Sequence, residues 1–295
     1  MRQIALYGKG GIGKSTVGSN VAAALAERGL KVMMIGCDPK HDCTRNLRDG
    51  KEVPTILDTI RNADLERYGV KELIEGLRVV ELEDIVVKGY RGIYCAEAGG
   101  PKPGVGCAGR GVIAAIETLK RLKAFETLNP DIVLYDVLGD VVCGGFAMPL
   151  RMGLADEVYV VTSSDYMSLY AANNICLGIE EFVDRGGSPV GGIVYNVRGA
   201  ADLDEVVQDF ALRIGSRIVG KVPHDSLFAE AEAQRKTVIE YAPSSELSNL
   251  FRKLAWDIYE NSHASKPKSL NADEMSALAS IIGDSARKLH SGDIQ

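Results

Sequence analysis

The sequence predicts an α/β fold: a single doubly wound, mostly parallel sheet flanked by helices. Three observations predict it. Short apolar runs recur along the chain, stretches with a helical apolar period separate them, and a glycine-rich turn joins the first run to the first helix. Ile4–Tyr7 is the first run. A helical pattern follows from Ser15 to about Arg28, where Gly29 stands at the expected C-cap position. Lys31–Cys37 is a second buried strand, completing a βαβ unit. Further strands are predicted at Asp131–Asp136, Glu157–Thr162, Pro189–Tyr195 and Arg217–Val222, with helices over Val112–Leu128, Tyr166–Arg185 and Asp202–Ile214. In such a sheet, ligands bind at the carboxyl ends of the strands. Thr55–Gly76 carries two amphipathic helical patches. Residues 1–261 are expected to form the main domain. Residues 262–295 are expected to form a polar linker and a tail, in which Leu270, Met275, Leu278, Ile281, Ile282 and Leu289 recur at roughly helical spacing.

Composition narrows the function classes. Of the 295 residues, 46% are hydrophobic and 25% charged, as in ordinary globular proteins. A net charge of −6 gives no general electrostatic case for nucleic acid or an anionic membrane as partner. No apolar run approaches the roughly 20 residues of a membrane span. Met1-Arg2-Gln3 leads directly into the first strand, without room for a signal peptide, so a cytoplasmic location is expected. In that reducing setting the six cysteines are not expected to form disulfides.

Gly8-Lys9-Gly10-Gly11-Ile12-Gly13-Lys14-Ser15 satisfies G-x-x-x-x-G-K-[ST], with a strand before it and a helix after it. Glycines let backbone N–H groups wrap phosphates, and the helix N-terminus adds its dipole. Lys14 is expected to reach the β- and γ-phosphates and Ser15 to bind Mg²⁺, with Thr16 next in the helix. Lys9 lies within the loop and cannot easily fold back beside Lys14. It resembles the additional lysine of dimeric "deviant" P-loop ATPases, which reaches the nucleotide of the other subunit. Asp136 ends a strand, the usual place of a metal-organising carboxylate. Asp38 ends another, and Asp42 follows four residues later. Both are candidates to position water or the Mg²⁺ shell, although a helix cap is the competing reading of Asp42.

Cys107 and Cys143 are wrapped in glycine and precede helical patterns, a setting in which backbone amides and helix N-termini favour a cluster anion. No CxxC pair exists, which argues against the common zinc spacing. A four-iron cluster needs four thiolates. Two from each of two copies across a two-fold axis would supply them. The competing reading is that they are packed small hydrophobes, as for Cys43 and Cys176. Asp136 and Cys143 are seven residues apart, so one segment reaches from the γ-phosphate environment towards the cluster, like a GTPase switch. Asp140, within it, is a candidate for the nucleotide site of either subunit.

Gly8–Thr16, Gly36-Cys37-Asp38-Pro39-Lys40, Cys95–Arg110, Tyr135–Met148 and Tyr170-Ala171-Ala172-Asn173-Asn174 resemble the nitrogenase iron protein family, from residue 1 to about 260. The resemblance implies a homodimer with one [4Fe–4S] cluster held by Cys107 and Cys143 of each chain, ATP with Mg²⁺ in each subunit, and reduction by ferredoxin or flavodoxin. It implies a heteromeric, nitrogenase-like catalytic component as partner, with neither nucleic acid nor membrane. Asn196 and Pro223-His224-Asp225 would contact adenine. Arg110 would lie on the docking face, where some relatives are ADP-ribosylated. Cys37 and Cys95 match positions that are not ligands. His41-Asp42-Cys43-Thr44-Arg45 and Val53-Pro54-Thr55-Ile56-Leu57-Asp58 depart from the nitrogen-fixing pattern towards the tetrapyrrole-reducing branches, while Gly104–Gly111 keeps it. The stretch from Asp38 to Cys107 is expected to be longer than in nitrogen-fixing members. Methylthio-alkane reduction is the first reading of the partner reaction; the coenzyme F430, nitrogenase and chlorophyll-type branches follow. A cluster-free positioning ATPase and an iron–sulfur carrier are the rivals from other classes.

Overall fold

The computed structural model describes residues 1–67, 80–100, 108–139, 154–198 and 203–291. Strands β1 (Arg2–Tyr7), β2 (Val32–Gly36), β3 (Val87–Lys88), β4 (Tyr94–Glu97), β5 (Ile132–Asp136), β6 (Glu157–Thr162), β7 (Val190–Asn196) and β8 (Ile218–Val222) form one sheet. Its order is β3-β4-β2-β5-β1-β6-β7-β8. Every pairing is parallel except that of β3 with β4. The central strands read as continuous apolar runs because both faces are covered. Side chains alternate between the faces: Ile4 and Leu6 join one core, Ala5 and Tyr7 the other.

Helix α1 (Lys14–Glu27) follows β1, and Gly29 closes its end at φ +88°. After β2 comes α2 (Ile56–Arg67), and after β4 come α3 (Ala108–Arg121) and α4 (Ala124–Leu128). One helix was expected over Val112–Leu128. It is two, broken where Lys123 turns left-handed at φ 53°. α3 also starts earlier, through Gly109 and Gly111, residues whose poor helix propensity hides the start. Then follow α5 (Tyr166–Val183), α6 (Asp204–Arg213), α7 (Leu227–Ala233), α8 (Val238–Tyr241), α9 (Glu246–Tyr259) and α10 (Ala272–Ser291). α1 and α7–α9 cover one face of the sheet; α3–α6 and α10 cover the other. In the Thr55–Gly76 region the described part is α2; residues 68–79 lie outside the described residues.

Beyond Asn261 the chain is held at Ser265 and again from Ser269 to Leu278. Val190 and Ser265 exchange two backbone hydrogen bonds of 2.9 Å. Asn173 on α5 donates to the Leu270 carbonyl at 2.9 Å and accepts from its N–H at 2.8 Å, and Glu180 accepts from the Ser269 N–H and hydroxyl. Leu270, Met275 and Leu278 then enter the core. No described helix is long and apolar enough to cross a membrane.

Asn173→Ala removes both bonds to Leu270 and leaves buried backbone groups unpaired. It is expected to cost about 1–3 kcal/mol, read as a lower urea midpoint at unchanged m value. An unchanged midpoint would show that the tail is not held through Asn173.

Candidate functional site

The glycine-rich loop runs from the carboxyl end of β1 to the first turn of α1, on the edge where parallel sheets bind ligands. It is flanked by the ends of β5 and β6. Ile12 N–H bonds back to the Lys9 carbonyl at 3.1 Å, turning the loop, while Lys9, Gly10 and Gly11 are exposed. Gly13 is the N-cap of α1 at φ 96°. A Cβ there would fall closer than 3.0 Å to Asn196 Nδ2. That amide, at the end of β7, donates to the Ile12 carbonyl at 2.7 Å and so ties the loop to the sheet. Backbone passes backbone again where Gly139 meets Gly8: a Cβ on Gly139 would lie inside 3.0 Å of the Gly8 carbonyl.

Lys14, the first residue of α1, is only 7% exposed, an unusual burial for an ammonium. Its counter-charge is Asp136, 2% exposed at the end of β5. Burial raises the Asp136 carboxyl above the usual range, while Lys14 and hydrogen bonds from the Ser15 and Cys43 side chains pull it down. Among the described residues, Asp136 Oδ2 and Glu97 Oε2 are the buried side-chain oxygens without a hydrogen-bond partner. An orphaned carboxylate oxygen beside a buried lysine and a helix-start serine is suited to a hydrated cation and a polyphosphate. MgATP therefore fits the residues present.

Beside the loop is a cavity of about 290 Å³ whose walls include Gly13, Thr16, Asn196, Pro223, His224 and Asp225. Residues expected from three separate stretches of sequence thus line one space. Arg198, Phe228 and Glu232 also line it, and nothing in their local sequence marks them. Asp225 Oδ1 also accepts from Leu227 N–H at 2.8 Å, starting α7.

Asp38 is half-buried and accepts from Lys40 N–H at 2.9 Å. Asp42 is exposed, and the short turn Arg45–Leu47 begins after Thr44, so Asp42 does not cap it. The Lys9 ammonium lies 3.8 Å from Asp165 of its own chain, the N-cap of α5. Cys107, Asp140 and Cys143 lie outside the described residues; α3 begins at Ala108, directly after Cys107. Arg110 is exposed in its first turn.

The described cysteines Cys37, Cys43, Cys95 and Cys176 are free and buried. Burial is the main cause that pushes their thiols up, to about 12 for Cys95 and Cys176. Cys37 and Cys43 rise in the same direction. Buried thiols of this kind are poor ligands for a group shared between subunits.

A family model described as 4Fe-4S iron sulfur cluster binding proteins, NifH/frxC family, matches residues 2–284. The chain belongs to this family. "Nitrogenase iron protein 2" of Methanothermococcus thermolithotrophicus is 59% identical over 288 residues, 98% of each chain. "Nitrogenase iron protein" of Methanococcus voltae is 50% identical over 98% of this chain and 99% of the relative. The cell division ATPase MinD of Pyrococcus furiosus superposes with a TM-score of 0.64 at 21% identity, covering 87% of this chain and 98% of that one. That likeness concerns the fold. As a NifH/frxC member the chain is an ATP-hydrolysing reductase component built around a [4Fe–4S] cluster, in a family that works as a dimer with a catalytic partner component.

Two outcomes are expected. Gly139→Ala should force the end of β5 away from the loop and weaken MgATP binding by about tenfold or more, equivalent to roughly 1.4 kcal/mol, in calorimetry; an unchanged affinity would show that this contact yields freely. Glu97, at the end of β4, supplies a pH dependence. Burial raises its carboxyl from 4.5 to about 7, against Thr44 hydrogen bonds and the Arg48 charge that lower it, with Asp136 adding to the rise. The folded chain therefore binds a proton that the unfolded chain has released over that window, and stability falls as pH rises through it. Glu97→Gln cannot titrate, so its thermal midpoint should fall less than the wild type's between pH 5 and 8. Parallel pH profiles would contradict the assignment.

Proposed function

We propose that the chain is the ATP-dependent electron donor to a nitrogenase-class catalytic partner, with MgATP seated on the loop from Gly8 to Thr16. Asp136 carries the reading: a buried carboxylate with one unpartnered oxygen, adjoining Lys14 and Ser15 and continuous in sequence with Cys143. Lys14 neutralises the β- and γ-phosphates, and Ser15 with Asp136 organises Mg²⁺. Asn196, Pro223, His224 and Asp225 face the base across the cavity. Asp38, Asp42 and Asp140 position the attacking water. Lys9, held loosely by Asp165 in the single chain, transfers to the nucleotide of the second subunit when the dimer closes. An exposed pair of this kind is worth only about 0–1 kcal/mol, so it is readily exchanged. Cys107 and Cys143 of two chains hold the cluster, which supplies one-electron donation when bound. Ferredoxin or flavodoxin is the donor and the cytoplasm the location.

Two observations bear on the partner's reaction. The relatives named as nitrogenase iron proteins favour dinitrogen reduction. His41-Asp42-Cys43 and Val53–Asp58 favour a nitrogenase-like partner, with methylthio-alkane reduction the first reading and tetrapyrrole reduction next. Supplying the anaerobically purified chain to each catalytic component separates them; the partner that turns over at rates dependent on MgATP identifies the branch. In the same preparation, Lys14→Ala should lose MgATP affinity by about 100-fold, or roughly 2.7 kcal/mol, while keeping its iron, and Cys107→Ala should lose its iron while keeping MgATP. A Lys14→Ala chain that binds MgATP normally would overturn the nucleotide assignment.

A further inference from the structure

The sheet register sets Gly36, the last residue of β2, opposite Asp136 on one side and Glu97 on the other. Gly36 leaves room for the Glu97 carboxylate: a Cβ there would fall inside 3.0 Å of Glu97 Oε2 and at 2.9 Å from Cys43 Cβ. Glu97 is 0% exposed and belongs to neither the loop nor the cavity described above. Its Oε1 accepts from the Thr44 N–H at 2.7 Å and the Thr44 hydroxyl at 2.6 Å, and the Arg48 guanidinium stands 3.8 Å away. Arg48 Nε in turn donates to the Thr44 hydroxyl at 2.9 Å. At the start of the same loop, Cys37 N–H donates to the backbone carbonyl of Asp136 at 2.9 Å. The loop after β2 is therefore held at one end to the Asp136 main chain, in the nucleotide site, and at the other to the buried Glu97 carboxylate.

The chain after Glu97 is gripped equally closely. Ala98 N–H bonds to the Gly36 carbonyl at 2.8 Å, and Leu57 N–H on α2 bonds to the Ala98 carbonyl at 3.1 Å. Arg61, also on α2, donates to the Gly100 carbonyl at 2.7 Å. A Cβ on Gly100 would lie 2.6 Å from Pro39 Cβ. Leu57 also packs against α3, where a Cβ on Gly111 would come within 2.6 Å of it. Residues 97–100 thus join the loop after β2 to α2 and, through Leu57, to α3.

We propose that Glu97 is a positioning residue for the family's reaction: through Thr44 it locks the loop Cys37–Thr44 to residues 97–100, so that displacement at Asp136 is passed to α2 and α3. This connection is separate from the segment 136–143 and rests on the nucleotide reading given above. Thr44→Val removes the hydroxyl that both Glu97 and Arg48 use, while keeping shape and backbone. Glu97→Gln keeps one acceptor oxygen in the same place but cannot ionise. Thr44→Ser restores the hydroxyl.

The test is hydrogen exchange by mass spectrometry on the full-length, anaerobically purified protein with and without MgATP, alongside calorimetric MgATP binding. In the wild type, MgATP should slow exchange in 37–44 and in 97–100 together. In Thr44→Val and Glu97→Gln, MgATP should bind with affinity within about threefold of wild type, and 37–44 should still respond. The response at 97–100 should fall to about a third or less, and Thr44→Ser should recover it. A merely structural role would change exchange without nucleotide and leave the MgATP-induced difference intact, and that result overturns the proposal. If Glu97→Gln does not fold, the Thr44 pair decides. A wild type that binds MgATP with no response in either segment overturns the coupling alone; one that does not bind MgATP overturns the nucleotide reading with it.

Discussion

Asp136 is a carboxylate removed from water at the end of a central strand, with one oxygen left without a partner among the described residues. A charge so placed is costly unless something compensates it. Here the compensation is Lys14, itself buried, and the rest of the edge follows from keeping the two together. Lys14 can approach only if the chain turns from β1 into α1 within a few residues. That turn needs Gly13 at positive φ and needs Gly8 and Gly139 to pass with no side chain between them. Asn196 holds the loop from the other flank. Breaking a buried pair leaves an uncompensated charge costing several kcal/mol. A ligand that relieves the orphaned oxygen gains by the same physics.

Much of this was legible in the sequence because it rests on local rules. The strand before Gly8, the glycine spacing and the helix after Ser15 mark the loop, and Asp136 is found by its place at the end of an apolar run. The central strands are continuous apolar runs and so declare themselves. What was not legible is short or depends on packing. β3 and β4 are two and four residues long, too short to show a period. Glu97 is at the end of the second, and its burial is decided by Gly36 and Thr44, far away in sequence. Helices α8 and α9 do carry cap signals: Thr237 and Ser245 accept from N–H groups three residues on, as N-cap side chains do. Cys43 reads as a packing residue, and no motif marks that it packs beside Gly36 at the end of β2.

Fold and function separate clearly in this molecule. A MinD ATPase shares the sheet and superposes over most of the chain at 21% identity, yet a shared fold does not transfer a reaction. The match to a cluster-binding family over residues 2–284 is a different kind of finding, because it covers the cysteine segments as well as the nucleotide loop. The buried cysteines support that distinction physically. Four of the six have thiols that burial keeps protonated, and thiolates are what iron requires.

The manner in which the loop after β2 is held bears on how a nucleotide can act at a distance. A loop fixed at a single point can pivot, and its far end need not follow. Cys37 and Thr44 bound the loop and are fixed on opposite sides, Cys37 N–H to the Asp136 carbonyl and Thr44 to the Glu97 carboxylate, with Gly36 between the two strand ends. In the proposed coupling, displacement of Asp136 moves the loop at Cys37, and Glu97 moves with Thr44 at its other end. Residues 98–100 are bonded to the Gly36 carbonyl and to α2, and no water-filled space separates Gly100 from Pro39, so the displacement continues through direct contact. Close packing of this kind transmits strain because it has no slack in which to absorb it.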